Sequence, residues 1–230
     1  MKNSNKYILT IETTSEVCGV SLICNDNVIC ENDVISGFNH SITLFNNIDK
    51  MLKINNIEMS QVELIKVSTG PGSFTGIRIG VAAALGLSEK FNTRIEYVDT
   101  LDSLAYNVIN KNDIIISMID AKCNRVYMSL YFSKKFKKVY KDFIVDVDEL
   151  CELLNKNFSK KNITFSLVGS GAINYKPNFQ RKLKIKYKIY DKNSLLKSSS
   201  LAYVDGKDDV ISGMNYLLAS KAEREKYGKS

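Results

Sequence analysis

Residues 62–90 constrain the fold most. Val62–Val67 is a short, largely apolar run of strand-forming residues. It ends in Ser68-Thr69-Gly70-Pro71-Gly72-Ser73-Phe74-Thr75-Gly76, and Ile77–Lys90 then carries apolar residues at helical spacing. A buried strand that passes through a glycine-rich turn into a helix is one step of a layered α/β domain. The turn brings backbone N–H groups to a helix start, where an anion is favoured. It is not a Walker loop, because no Lys-Ser/Thr follows the last glycine, and it is not G-x-G-x-x-G, because the glycines fall at 70, 72 and 76. A tight turn, with Pro71 fixing one φ and Gly72 free to take a positive one, accounts for the same residues.

The helix after the turn carries small residues at Gly76, Gly80 and Ala84. An interior glycine costs a helix about 1 kcal/mol, so a neighbour is expected to pack closely on that face, within the chain or from another subunit. A second amphipathic helix runs from His40 to Lys53, with Leu44, Phe45 and Ile48 as apolar knobs. We expect these two helices, with Leu44, Phe45, Ile48, Gly76, Arg78, Gly80 and Ala84, to form a subunit interface.

The rest of the chain repeats one pattern. Strands are expected at Tyr7–Glu12, Val17–Cys24 and Val28–Val34, with a turn at Asn25-Asp26. Arg94–Val98 is a further strand, and Leu101–Ile109 is helical. The order restarts after Lys111-Asn112-Asp113 with strands at Ile114–Asp120, Val126–Phe132 and Val139–Val145. A helix at Asp146–Asn155, a strand at Ile163–Val168 and a glycine turn at Gly169-Ser170-Gly171 follow. Lys184–Tyr190 suits a strand with one wet face, and a last helix is expected from Asn215 to Lys226. This order fits duplicated α/β lobes around a cleft, residues 1–110 and 111–230, with the last helix returning to the first lobe. Glu12, Thr13 and Thr14 at the first strand end, the loop residues Gly70, Gly72 and Ser73, and Gly169 and Gly171 would then lie near a nucleotide in that cleft.

Composition narrows the chemistry. The single histidine, His40, excludes a histidine-based metal cluster, and no zinc spacing occurs. Five cysteines without a C-x-x-C pair read as small buried hydrophobes in a reducing compartment. The longest weakly charged apolar stretch, Ile77 to Leu87, contains Arg78 and two glycines and falls short of the roughly 20 residues of a membrane span. The apolar run Tyr7–Ile11 stops at Glu12, too short for a secretory signal, so a cytoplasmic location is expected. The 230 residues carry a net charge of +7, divided as −4 over 1–110 and +11 over 111–230. The basic half concentrates at Lys134, Lys135, Lys137, Lys138 and Lys141, and again at Arg181, Lys182, Lys184, Lys186, Lys188 and Lys192. Such clusters attract phosphate backbones or are solvated faces. The candidate RNA contacts are Lys134, Lys135, Lys137 and Lys138.

The stretch from Ser68 through Gly-Pro-Gly-Ser-Phe-Thr-Gly-Ile-Arg to Leu87 resembles the signature of the bacterial TsaB (YeaZ) family. The likeness extends over Ile8–Ser15, with Glu12 where the family has Asp, over His40-Ser41 with Leu44, and over Asp120-Ala121 with Arg125-Val126-Tyr127. It continues over Val168–Ala172 and over Tyr216-Leu217 with Ala222-Glu223, although Leu218 stands where Arg is frequent. The resemblance implies an α/β, two-lobed actin/Hsp70-like ATPase (ASKHA) fold with duplicated βββαβα lobes. It implies a non-catalytic subunit that activates a TsaD-like threonylcarbamoyltransferase acting on adenosine 37 of tRNA. The implied partners are that paralogue, a TsaE-like ATPase through the complex, tRNA, and a second copy of the chain when the paralogue is absent; no membrane is among them. TsaD binds metal through an H-x-x-x-H pair, and Leu44 stands in the second place here. No cofactor is expected to bind tightly, and ATP or ADP only weakly. The competing readings are an independent ATPase or kinase-like enzyme on this fold, for which Glu12 and Asp120 are the available carboxylates, and a plain RNA-binding module.

Overall fold

The computed structural model describes residues 6–35, 40–191 and 196–209. The expected helix at Asn215 to Lys226, with its matches at Tyr216, Leu217, Leu218, Ala222 and Glu223, lies outside the described residues, as does Lys192.

The first sheet contains β1 (Tyr7–Glu12), β2 (Val17–Cys24), β3 (Asn27–Ile35), β4 (Val62–Ser68) and β5 (Arg94–Val98) in the order β3-β2-β1-β4-β5. Asn25 and Asp26 both take positive φ, 49° and 65°, the conformation a two-residue hairpin turn needs, so β2 and β3 pair antiparallel. β4 and β5 add parallel on the other side of β1, which requires crossovers. Helices α1 (His40–Ile54) and α2 (Phe74–Phe91) supply them and pack side by side on one face of the sheet. α1 buries Leu44, Ile48, Met51 and Leu52. α2 starts earlier than the periodicity predicts: the Ser73 hydroxyl accepts from Gly76 N at 3.1 Å, so Gly76 belongs to the first helical turn.

A short helix, α3 (Thr100–Tyr106), leads to the second sheet. That sheet holds β6 (Ile114–Lys122), β7 (Arg125–Phe132), β8 (Lys137–Lys138), β9 (Phe143–Asp146), β10 (Thr164–Val168) and β11 (Lys186–Ile189). Its order, β11-β10-β6-β7-β8 with β9 also on β7, repeats the first sheet strand for strand. α4 (Val147–Phe158), capped by Asp146, takes the place of α1. Two short helices, α5 (Ser170–Asn174) and α6 (Lys176–Lys182), stand where α2 stands in the first lobe. Each lobe has its own apolar core, and α3 packs Leu104, Ala105 and Val108 against the second sheet. This is the two-lobed, duplicated α/β fold expected.

Two elements depart from expectation. The strand expected at Val139–Val145 is broken, because Lys138 and Asp142 close a 2.7 Å ion pair between β8 and β9. The chain also returns to the first lobe after β11. A 3-10 helix, Ser198–Tyr203, lies on the first sheet. Ser198 donates from N and Oγ to Asp33, Ser199 N donates to Glu31, and buried Lys66 donates to the Ala202 and Val204 carbonyls at 3.3 and 2.8 Å. Tyr97 and Lys207 exchange backbone hydrogen bonds. Residues 198–207 therefore lie with the first lobe, although they fall after position 110. Among the described residues no helix is long and apolar enough to cross a membrane. Cys18 and Cys151 are buried, whereas Cys123 is exposed, in contrast to the all-buried expectation.

Candidate functional site

The glycine loop after β4 packs on the turn after β1. Ser73 N donates to the Thr14 carbonyl at 2.7 Å, and Gly70 N donates to Thr100 Oγ1 at 3.0 Å. Thr100 Oγ1 in turn donates to Thr14 Oγ1 at 3.4 Å. Thr13 Oγ1 donates to the Gly76 carbonyl at 2.8 Å. A Cβ at Gly72 would collide with the Thr14 carbonyl, so only glycine permits this approach. Thus Thr13, Thr14, Gly70, Gly72 and Ser73 come together. The amides of Gly70, Ser73, Gly76 and Ile77 are bonded within the chain rather than pointed at open space. Gly169, with φ 107°, approaches the Met118 backbone and Leu104, and Gly171 approaches Met118 and Val126. Thr100 and Leu104 are one turn apart on α3, about 6 Å along its axis. The two glycine turns therefore flank the same short helix.

Glu12, at the end of β1, is fully buried. Its Oε1 accepts from the Thr14 amide at 2.7 Å and the Thr14 hydroxyl at 2.6 Å; Oε2 is unbonded among the described residues. Burial pushes the carboxyl up to about 7, against the pull of the Thr14 bonds and the nearby Ser68 hydroxyl. Register places Glu12 opposite Gly19 and Gly19 opposite Asp33. Asp33 leans over the missing side chain of Gly19 and is itself pushed up to about 6, mainly by burial. Asp120, the other carboxylate candidate, is fully engaged: by Lys122 N and Nζ at 2.8 Å each, Asn174 Nδ2 at 2.9 Å and the Tyr175 hydroxyl at 3.0 Å. Burial would raise its pKa, but these donors hold it below the usual carboxylate range.

His40 is also buried, and burial lowers its pKa. Leu44, one turn on, is fully buried in the first core, so the face that would carry an H-x-x-x-H pair points inward.

The expected interface needs correction. Leu44, Ile48, Gly76, Gly80 and Ala84 are buried against their own sheet. The small-residue stripe exists because β1 and its turn lie there: a Cβ on Gly76 would strike the Thr13 carbonyl, and one on Gly80 the Thr13 hydroxyl. Only Phe45 and Arg78 of the seven residues are exposed. The Arg78 guanidinium sits 3.7 Å over the Phe74 ring. The exposed residues of the two helices include instead Ile42, Phe45, Arg78, Ala82, Leu85 and Gly86.

The basic cluster also needs correction. Lys134, Lys135 and Lys137 are exposed. Lys138 turns inward, with Nζ 2.6 Å from Asp102, 2.7 Å from Asp142 and 3.5 Å from Asp99. Tyr131 donates to Asp102 at 2.6 Å. Burial pulls the ammonium down, but the three carboxylates outweigh it and hold it charged. Asp99 is raised well above its usual value, first by burial and then by its bond to Asp142. Lys138 therefore has no free charge for a phosphate. Lys138→Met is expected to destabilise the fold by about 2–3 kcal/mol. That lies toward the lower end of the ~3–5 of a fully buried pair, because the side chain keeps 29% exposure. Urea unfolding at pH 7 measures it, and an unchanged midpoint would exclude a structural role for the knot.

Sequence reasoning missed Thr100, Asp33 with Ser198, and the Asp99–Asp102–Asp142–Lys138 knot. Apart from Asp142, four positions after Lys138, their partners are 30 or more positions away or belong to a segment without periodicity; the other local signal was Asp99 before a helix, a cap.

A family model described as TsaD: tRNA N6-adenosine threonylcarbamoyltransferase matches residues 34–208. The tRNA threonylcarbamoyladenosine biosynthesis protein TsaB of Buchnera aphidicola subsp. Baizongia pistaciae is 30% identical over 187 residues, covering 78% of this chain and 82% of that protein. A Pseudomonas aeruginosa crystal structure described as similar to peptidase YEAZ superposes with TM-score 0.75 at 19% identity, over 93% of this chain and 100% of that one. The activator of 2-hydroxyisocaproyl-CoA dehydratase from Clostridium difficile, with bound ADPNP, superposes with TM-score 0.52 at 11% identity, over 97% and 98%. The last two likenesses concern the fold alone. A family model covering most of the chain, a relative at this identity and coverage, and the duplicated lobes agree: the chain belongs to the TsaB (YeaZ) family.

Proposed function

We propose that this protein serves tRNA threonylcarbamoyladenosine biosynthesis as a non-catalytic subunit that binds and activates a TsaD-like transferase. The observation that carries this reading is the cleft side of the first lobe. The amides of Gly70, Ser73, Gly76 and Ile77 are bonded to the chain's own Thr100, Thr14 and Ser73, and Glu12 is sealed behind Thr14. A kinase or ATPase needs amides free for phosphate and a carboxylate free for metal or base work. Here Glu12 is half-protonated near neutrality and Asp120 is held by four donors. ATP or ADP would bind weakly. The same reading includes a TsaE-like ATPase acting through the complex and a homodimer in the partner's absence.

The partner would dock on the outer face of α1 and α2, where Ile42, Phe45 and Leu85 are 69%, 51% and 46% exposed and Ala82 and Gly86 leave room for a close helix. The test mixes the chain with the TsaD-like protein of the same cell and assays modified tRNA. Transfer is expected only with both proteins present. Phe45→Glu with Leu85→Glu should retain the parent's melt and weaken partner binding about 100-fold or more, as for a central interface anchor. Transfer by this chain alone would establish the enzyme reading, and native partner affinity in the variant would exclude this face.

A further inference from the structure

We infer that the basic end of the second lobe, where α4 and α6 finish and β11 begins, is an RNA-backbone binding surface. Between Glu152 and Asp191 the chain has no acidic residue and nine basic ones. Two of the nine are paired, Lys176 with Asp191 and Lys182 with Asp148. The other seven, Lys156, Lys160, Lys161, Arg181, Lys184, Lys186 and Lys188, are exposed, and among the described residues none makes an ion pair.

The fold gathers these charges. Asn155 on α4 donates from Nδ2 to the Lys182 carbonyl at 2.8 Å and accepts from Lys184 N at 2.7 Å, tying the end of α6 to the last turns of α4. Lys186 Nζ reaches Asn162 Oδ1 at 2.7 Å, beside Lys160 and Lys161. β11 is the sheet edge, Lys186 and Lys188 alternate along it in register with Thr164 and Ser166 of β10, and Lys184 lies just before it. Two ammonium groups stand over rings, Lys161 over Phe158 and Lys188 over Tyr190, so cations and aromatics interleave.

Two structural explanations fall short. Helix dipoles are complemented by a cation or two in the last turn. Lys156, Arg181 and Lys182 do that, and Lys160, Lys161, Lys184, Lys186 and Lys188 lie beyond both helix ends. Lysines also protect exposed sheet edges. However, β5, the corresponding edge of the first sheet, has no lysine, and its one cation, Arg94, is paired with Glu96 at 2.6 Å. Seven unopposed cations fixed on a rigid lobe edge suit a repeating phosphate array, whose counterions they would release. A lipid surface would also want apolar anchors, and among the described residues Leu153 is the only large apolar side chain strongly exposed nearby. The choice of RNA rather than another polyanion rests on the proposed pathway role.

The test uses the full chain without partner and follows fluorescence anisotropy of labelled tRNA over a salt series. Lys160→Glu, Lys161→Glu, Lys184→Glu and Lys186→Glu together should weaken binding about tenfold or more at low salt. They should also flatten the log K against log salt slope by about two or more, at roughly 0.7–0.9 per phosphate contact. The control, Lys134→Glu, Lys135→Glu, Lys137→Glu and Lys141→Glu, makes the same change in net charge and should stay within about twofold of the parent, since long-range attraction is screened. Equal losses in both variants would reduce the effect to bulk charge, and no loss in the first would overturn the inference. Patch-dependent binding to phosphatidylserine vesicles without tRNA binding would assign the surface to membranes and also overturn it. If the first set of reversals disrupts the fold by circular dichroism, the same four positions changed to Gln give the same readout. The partner titration is separate, so tRNA binding at this patch with no TsaD-like pairing defeats the activator reading and leaves this one standing.

Discussion

Gly76→Leu is expected to abolish folding. Position 76 is buried in the first turn of α2, and a Cβ there would overlap the Thr13 carbonyl oxygen and come within 3.3 Å of Ser73 Cβ. Neither is the free end of a flexible side chain, so relief requires moving β1's turn away from α2 and breaking the Thr13–Gly76 and Ser73–Thr14 bonds. Steric displacement of buried backbone exceeds about 4–5 kcal/mol, a large share of the 5–15 that holds a typical domain. Gly86→Ala is the matched control on the same helix. Nothing lies within 4 Å of its Cβ, so helix propensity should stabilise it by about 0.5–1 kcal/mol. Urea unfolding of the soluble protein measures both. A Gly76→Leu protein that melts like the parent would remove the close-packing account of the stripe.

Glu12→Gln is expected to change how stability depends on pH. The folded carboxyl titrates at about 7 against 4.5 in a free chain. A raised folded pKa gives stability that is full below about 4.5 and is lost as pH rises through about 7. The loss over that window is about 3 kcal/mol, at roughly 1.4 per pKa unit. Glutamine keeps an acceptor for Thr14 and has no charge to bury, so the variant should gain about that much on the parent between pH 4.5 and 8. Asp33, raised to about 6, remains and leaves a smaller slope of the same sign. Denaturant midpoints at pH 5 and pH 8 are the measurement. Parallel curves for the two proteins would show that Glu12 stays protonated throughout or is open to water.

The lobes were legible because their signals are local: alternation in Val17–Cys24, the Asn25-Asp26 turn, and the strand, glycine turn and helix of 62–90. α5 and α6 were hidden by Gly169, Gly171 and Pro177, which look like loop residues, although Pro177 lies where proline starts a helix. Glu12, Thr13, Thr14, Gly70, Gly72 and Ser73 come together because one strand end faces another. The glycine stripe was noticed but referred to the wrong neighbour. Periodicity tells that something approaches Gly76 and Gly80 closely, and cannot tell that it is Thr13, sixty-three positions earlier. Lys138 looked like its neighbours because charge in a sequence carries no direction. Its partners Asp99 and Asp102 lie more than thirty residues upstream.

The return of 198–207 to the first sheet makes the N-terminal lobe incomplete as a fragment. A chain ending at residue 110 would have every strand and helix of that lobe, yet Asp33 would lose the Ser198 donors and Glu31 the Ser199 amide. Lys66, with 9% of its side chain exposed, would keep only Glu96 and lose both carbonyls. The first lobe is thus closed by a segment that is made after the strands of the second lobe. During synthesis it must wait, with Lys66 short of two acceptors, until the second lobe has left the ribosome.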